Sequence, residues 1–269
     1  MRPPQIEVKT AGVYLPWSVA STTDTAAAAA LMAVPDGLIC GPTCLALHGV
    51  ALPRRWQSER QHVWVSRDGG RPRRPQIIAH RSRLQLPPVV VRGIPCVAPI
   101  EAWLQLGVSA TVDDLVAVGD GLIRRKSPLT TLAAISQAVA SSPRRPGIRL
   151  LREAVPLLRA RTDSIQETRV RLRIVHAGLP CPTVNVSIFD QYGELLFSID
   201  MGYEDIRLGV EYDGAVHVSD RLKMERDVTR RRILEDLGWR IVTVTRADLA
   251  EGKGSFLDSI RLALGNRVA

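Results

Sequence analysis

With 269 residues, 45% of them hydrophobic and 23% charged, the chain has material for one large or two ordinary cores and the composition of a soluble globular protein. No apolar run approaches the roughly 18–20 residues of a membrane helix, and the Ala26–Ala30 run with Leu31 and Met32 lies too far in for a signal peptide. A cytoplasmic protein with no membrane partner is the expectation. The net charge of +9 is uneven: residues 1–146 hold 17 Lys and Arg against 9 Asp and Glu, whereas residues 147–269 hold 19 against 18.

The basic excess gathers around Arg54–Arg83 and is nearly all arginine. Arginine forks suit phosphate, so Arg54, Arg55, Arg73 and Arg74 are candidate contacts to a polyanion such as DNA. A solvated basic loop accounts for the same charges. Cys40, Cys44, Cys96 and Cys181 are too scattered for a zinc site and too few for a disulfide scaffold, and read as small core residues.

In chain order, "GPTCLALHGV" predicts a short helix ending at Gly49. "RQHVWVSR" and "PQIIAHRS" alternate as two strands joined by a Gly-Gly-Arg-Pro turn region. "PIEAWLQLG", "TVDDLVAVGDGLIRR" and "TLAAISQAVAS" carry helical spacing, with Thr111 as the cap of the second. "SSPRRPG" (Ser141–Gly147) is the best linker candidate, which predicts a basic α+β module over 1–146 and a second domain over 147–269.

The second domain opens with "GIRLLREAVPLLRA", a helix that Pro156 can kink, and "DSIQETRVRLRIVHAG", a helix closed by Gly178. Three strand-like runs follow, "TVNVSIFD", "ELLFSID" and "IRLGVEYDG". The charged helix "SDRLKMERDVTRRRILEDLG" and the strand "WRIVTVT" complete it. Helix, three strands, helix, strand predicts an α/β fold, a mixed sheet flanked by helices. Leu222, Ile233, Leu234 and Leu237 mark the buried stripe of the charged helix, and Trp239 is expected in the core.

Asp200 closes the second of these strands and Glu211 lies near the end of the third. Strict pairing through a turn would separate them, whereas a bent or bulged pair would set them level. Convergent carboxylates repel one another and favour a divalent cation, Mg²⁺ or Mn²⁺, whose bound water can attack a phosphodiester. Each acid has a structural reading too. Ser164-x-x-Glu167 is also a capping box, Asp213-Gly214 a turn pair, and Asp200 the start of the turn around "MGYED".

The ordered series "SIQETRVRLRIVHAGLP", "LLFSIDMGYEDIRLGVEYDGAVH", "RDVTRRRILEDLGWRIVTVT" and Asp248-Leu249 resembles the PD-(D/E)XK nuclease superfamily, in the branch similar to very-short-patch-repair endonucleases. The resemblance runs from about Ser164 to Leu249 and implies a restriction-endonuclease-like fold. It implies Asp200 and Glu211 as metal ligands and Glu167 as the acid of the first core helix, acting through water. The lysine expected two residues after Glu211 is replaced by Asp213. Repair-type relatives use histidine instead, which makes His217 the candidate for proton transfer. Arg230 or Arg231, near Asp227, would pair with that acid or touch phosphate.

The first half, through "GVYLP", "GPTCLALHGVALP" and "GIPCVAPIEAWLQL", looks like the middle region of bacterial proteins related to AbiEi-type abortive-infection antitoxins. A winged helix commonly precedes "GVYLP" there; here Gly12-Val13-Tyr14 stands almost at the start, implying a lost winged helix or a misplaced start codon. Two functions are therefore expected. One is a metal-dependent DNA endonuclease of repair or of phage and mobile-element defence. The other is a DNA-binding regulator or antitoxin-like protein with an inactive nuclease fold. The oligomeric state is open, a homodimer being one option.

Overall fold

The structure, a computed structural model, describes residues 6–10, 13–16, 22–67, 73–214, 221–250 and 255–265, with backbone alone for 6–10, 13–16 and 221–227. His217 lies outside the described residues. The chain divides into two compact units, Met1–Ile123 with Ser127–Leu158, and Arg124–Lys126 with Arg159–Ala269. The fold is mixed α/β, with a mixed sheet and flanking helices in each unit.

The first unit begins with an antiparallel pair, β1 (Ile6–Thr10) and β2 (Val13–Pro16). There follow α1 (Thr23–Met32), β3 (Leu38–Ile39), α2 (Gly41–Leu47), β4 (Gln61–Ser66), β5 (Ile77–Ser82), β6 (Val89–Val91) and β7 (Ile94–Cys96). Four helices complete it: α3 (Pro99–Leu106), α4 (Val112–Leu122), α5 (Leu132–Ala140) and α6 (Ile148–Ala154). The five-stranded sheet runs β5-β4-β3-β7-β6. The two strands expected from "RQHVWVSR" and "PQIIAHRS" form as β4 and β5, and they pair parallel, Gln61 opposite Ile77 through Ser66 opposite Ser82. The Gly-Gly-Arg-Pro region expected to join them, residues 69–72, lies outside the described residues.

Local chemistry starts these helices where expected. Thr111 caps α4 in a capping box with Asp114, its hydroxyl accepting from the Asp114 N–H at 3.1 Å. Trp103 is fully buried and satisfies its indole by donating to the Leu115 carbonyl at 2.8 Å. Cys40, Cys44 and Cys96 are buried core residues, as their spacing suggested, whereas Cys181 is exposed.

The expected linker at Ser141–Gly147 is a packed turn, and the division between units falls later, after Leu158. Two contacts explain this. Arg145 forks onto both oxygens of the Glu101 carboxylate. Gly147, at φ +78°, lies so close to Gly107 that an added Cβ would meet its carbonyl oxygen at 2.1 Å. With the turn held, α6 buries Leu151 and Ala154 against the rest of the first unit, and Leu158 fills the space over Gly119. Proline and arginine content marked a loop correctly but said nothing of what the loop rests on.

The second unit follows the predicted order: α7 (Ile165–His176), β8 (Thr183–Phe189), β9 (Leu195–Tyr203), β10 (Leu208–Asp213), α8 (Arg221–Asp236) and β11 (Arg240–Thr245). A further helix, α9 (Ser255–Gly265), ends it. The sheet runs β11-β10-β9-β8, with β8, β9 and β10 antiparallel and β11 parallel to β10 after the α8 crossover. One face packs Met201, Tyr203, Leu208 and Val210 on Val170 and Ile174 of α7 and Phe256 and Ile260 of α9. The other packs Val186, Ile188 and Ile199 on Leu234 and Trp239. Trp239 is thus in the core as expected, and Ile233, Leu234 and Leu237 lie on the less exposed side of α8; the Leu222 side chain is outside the described residues. Gly209 lets this second face close, since a Cβ there would meet Ile241 at 2.6 Å.

Candidate functional site

The β9–β10 ladder pairs Leu208 with Tyr203, Gly209 with Gly202 and Val210 with Met201. The next step in that register sets Glu211 level with Asp200. No bulge is needed, because the connection is a tight 3₁₀ turn, Glu204–Ile206, closed by Arg207 at φ +49°. The regular pairing ends there. In its place the Tyr212 N–H donates to Asp200 Oδ2 at 2.8 Å, so a carboxylate fills the gap where the ladder opens. Asp200 and Glu211 line one cavity of about 320 Å³ with Ser198, Asp213, Arg230 and Arg231. The two acids therefore share a side of the sheet.

Burial first, then the charges of Glu167 and Glu211, push Asp200 up to about 6; the Tyr212 N–H and Arg230 act against the shift. Glu211 is held differently. Arg230, projecting from α8, donates from Nη1 to Oε2 at 2.9 Å and from Nη2 to Oε1, a two-pronged ion pair. The same Nη2 reaches the Ser198 carbonyl at 3.1 Å, and the guanidinium lies over the Phe197 ring at 5.6 Å. Arg230 thus ties the helix to the two strands that carry the acids.

Glu167 is buried and caps its own helix. Its N–H donates to Ser164 Oγ at 3.2 Å, while its Oε2 accepts from the Asp163 N–H at 2.9 Å. Burial raises its pKa against these hydrogen bonds. Its charge reaches Asp200, but Glu167 is not among the residues lining the cavity. The capping role expected as its alternative is present, in a variant that reaches one residue further back.

Three neighbours escaped the sequence reading. Asn185 is buried at φ +55° in β8, between the pairs Val184 with Met201 and Val186 with Ile199, hence level with Asp200. Its Oδ1 has no hydrogen-bond partner among the described residues. Asp163 is gripped by Arg125, whose Nε donates to both carboxylate oxygens at 3.2 and 3.0 Å. The signal for Asn185 was available, a lone amide in the otherwise apolar and hydroxylic run "TVNVSIF". Arg125 gave none, because 38 residues separate it from Asp163.

Of the arginines expected to meet phosphate, Arg231 is exposed at the cavity, and Arg54 and Arg73 are exposed in the first unit. Arg74 is half-buried. Arg55 is already engaged with Asp114 and the Ser109 carbonyl, and lies over Trp56 at 5.3 Å.

Chemically the pair fits a hard cation in kind. Magnesium needs few protein carboxylates and keeps several waters, and Asp200 and Glu211 are two carboxylates in one cavity. Arg230 already neutralises Glu211, so a cation here must displace or share that guanidinium. No group of three or more His, Cys, Asp or Glu side chains is arranged to hold a metal among the described residues.

The chain matches no protein-family model and no solved structure. It is similar to two uncharacterized proteins of Mycobacterium tuberculosis, MT2308 of strain CDC 1551 and Rv2248 of strain H37Rv. Each is 33% identical over 143 residues, a stretch covering 49% of this chain and 52% of the relative. The chain thus matches about half the length of these curated relatives. Among the described residues no helix is long and apolar enough to cross a membrane.

Proposed function

We propose that the second unit is a metal-dependent DNA endonuclease site in which Asp200 and Glu211 hold Mg²⁺ or Mn²⁺. The observation that carries this reading is the meeting of Asp200 and Glu211 in one cavity at the point where the β9–β10 ladder opens. The α-βββ-α-β order of the unit and the resemblance to PD-(D/E)XK nucleases support it. When bound, the cation supplies a polarised water and a counter-charge for the scissile phosphate. The chain's own groups do the rest. Asp200 and Glu211 hold the ion, and Arg231, with Arg230 once a cation displaces it from Glu211, draws in phosphate. His217 is the proposed proton carrier. The water oxygen bonds to phosphorus as a P–O ester bond breaks, and the proton passes to the leaving oxygen.

Arg230 gives the second reading its footing. A guanidinium that satisfies both oxygens of Glu211, with Asp213 where a lysine is expected, suits a nuclease fold kept for binding alone. On that reading the protein is a DNA-binding regulator or antitoxin-like factor. Supercoiled plasmid incubated with wild type or Asp200→Asn, with Mg²⁺, Mn²⁺ or chelator, separates the two. Metal-dependent nicking by wild type and not by the variant supports the nuclease. A DNA mobility shift by both proteins without nicking moves the regulator ahead.

A further inference from the structure

Four exposed apolar side chains of the second unit fall close together in the chain. Phe189, Tyr192, Leu195 and Leu196 stand at the end of the β8–β9 hairpin and are 53%, 82%, 59% and 36% exposed. Phe189 and Leu195 are cross-strand partners, which sets both on one face of the hairpin. The turn between them is closely braced. Asp190 Oδ1 accepts from the Tyr192 and Glu194 N–H groups, both at 2.8 Å, the Asp190 N–H donates to the Glu194 carbonyl at 2.9 Å, and Gly193 takes φ +82°. The hairpin therefore offers a preformed apolar surface, which a partner can cover without first ordering it. The charges of this segment are of one sign. Residues 177–206 hold five acids, Asp190 and Glu194 of the turn among them, and no Lys or Arg. A strip of the first unit has the opposite character. Residues 73–100 hold five arginines and no Asp or Glu. Within that strip Arg83 is exposed, as are Leu84 at 56% and Val90 at 70%. Val90 lies on β6, an edge of its sheet whose outer side pairs with no strand among the described residues.

We propose that the hairpin tip docks on the Arg83–Val90 strip of a second copy of the chain. Apolar side chains on the two sides cover one another, and Arg83 of one copy meets Glu194 of the other at the rim. Charge decides among the occupants. Tip against tip would bring Glu194 and Asp190 up to their own copies, and like charges oppose that contact. Nucleic acid suits the hairpin no better, because the acids repel phosphate and no Lys or Arg of the segment offsets them. The basic apolar strip answers both features at once. Two copies that exchange the contact make it twice, which closes a dimer. The proposal does not depend on Asp200 and Glu211 holding a cation.

Sedimentation velocity on the full chain over a range of concentrations tests it, beside a DNA mobility shift. The expected result is a mean mass that rises with concentration toward that of a dimer. Tyr192→Asp is expected to weaken self-association roughly tenfold, with the fold kept by circular dichroism. Glu194→Arg and Arg83→Glu are each expected to weaken it as well, and their combination in one chain to restore it, because the exchanged charges attract again. A wild type that stays monomeric at every concentration overturns the proposal. So does self-association that Tyr192→Asp leaves unchanged, or a double variant no tighter than the single ones. A monomeric wild type whose DNA shift is weakened by Tyr192→Asp would assign the hairpin to nucleic acid instead.

Discussion

Asp200 is under two opposed influences, burial that disfavours its charge and a Tyr212 N–H that favours it, and burial wins. Its folded pKa of about 6 stands above the roughly 3.9 of an unfolded aspartate, so the folded state holds the proton more tightly. The contribution is therefore favourable at acidic pH and is lost as pH rises through about 6, leaving a penalty on the order of 2–3 kcal/mol at neutral pH. In chelator, Asp200→Asn should melt higher than wild type at pH 8, with the gap closing near pH 4. A gap of equal size at both pH values would show that the ionised carboxylate is not the source. Arg230→Gln works in the other direction. It leaves the half-buried Glu211 without its guanidinium and should cost roughly 1–3 kcal/mol in chelator. Because it also vacates the place the proposed cation would take, Mn²⁺ should raise the melting temperature of this variant more than that of wild type. No extra rise would argue that guanidinium and cation do not compete.

The elements themselves were largely legible, and the reasons differ from one to the next. Alternating and continuous apolar runs marked β8, β9, β10 and β11, and Ser164 and Thr111 marked helix starts by cap chemistry that acts within four residues. Thr111→Ala should accordingly cost about 1 kcal/mol in the first unit by denaturant melting. What failed to show was anything decided by pairing across the chain. That β4 and β5 run parallel is not written in either strand. The level placement of Asp200 and Glu211 depends on Arg207 adopting φ +49°, a conformation uncommon outside glycine, so counting residues through the turn could not find the register. The Ser141–Gly147 turn misled for a related reason. Its composition is that of a linker, and only the approach of Gly147 to Gly107 reveals it as a seam. Gly147→Ala should destabilise the first unit by about 3 kcal/mol or more, well beyond an ordinary glycine change, because both the φ and the backbone contact oppose a Cβ.

At the scale of the molecule, the later division between units has a direct consequence. Leu151, Ala154 and Leu158 are fully buried in the first unit, so a chain ending at residue 146 loses three core side chains while one ending at 158 keeps them. The longer piece should melt cooperatively and the shorter should not, which differential scanning calorimetry would register. A cooperative transition in the shorter piece would restore the boundary at the linker. The charge distribution bears on partners at the same scale. With a sequence pI near 10.0 and the basic excess in the first unit, any DNA affinity should fall steeply with salt.

The central claim is that Asp200 and Glu211 form a divalent-cation site, and calorimetric titration of metal-free protein with Mn²⁺ at pH 7.5 tests it most directly. The account predicts one site per chain in wild type, abolished by Asp200→Asn and tightened by Arg230→Gln. Heat absent from wild type and from Arg230→Gln alike, with both proteins folded, would contradict it.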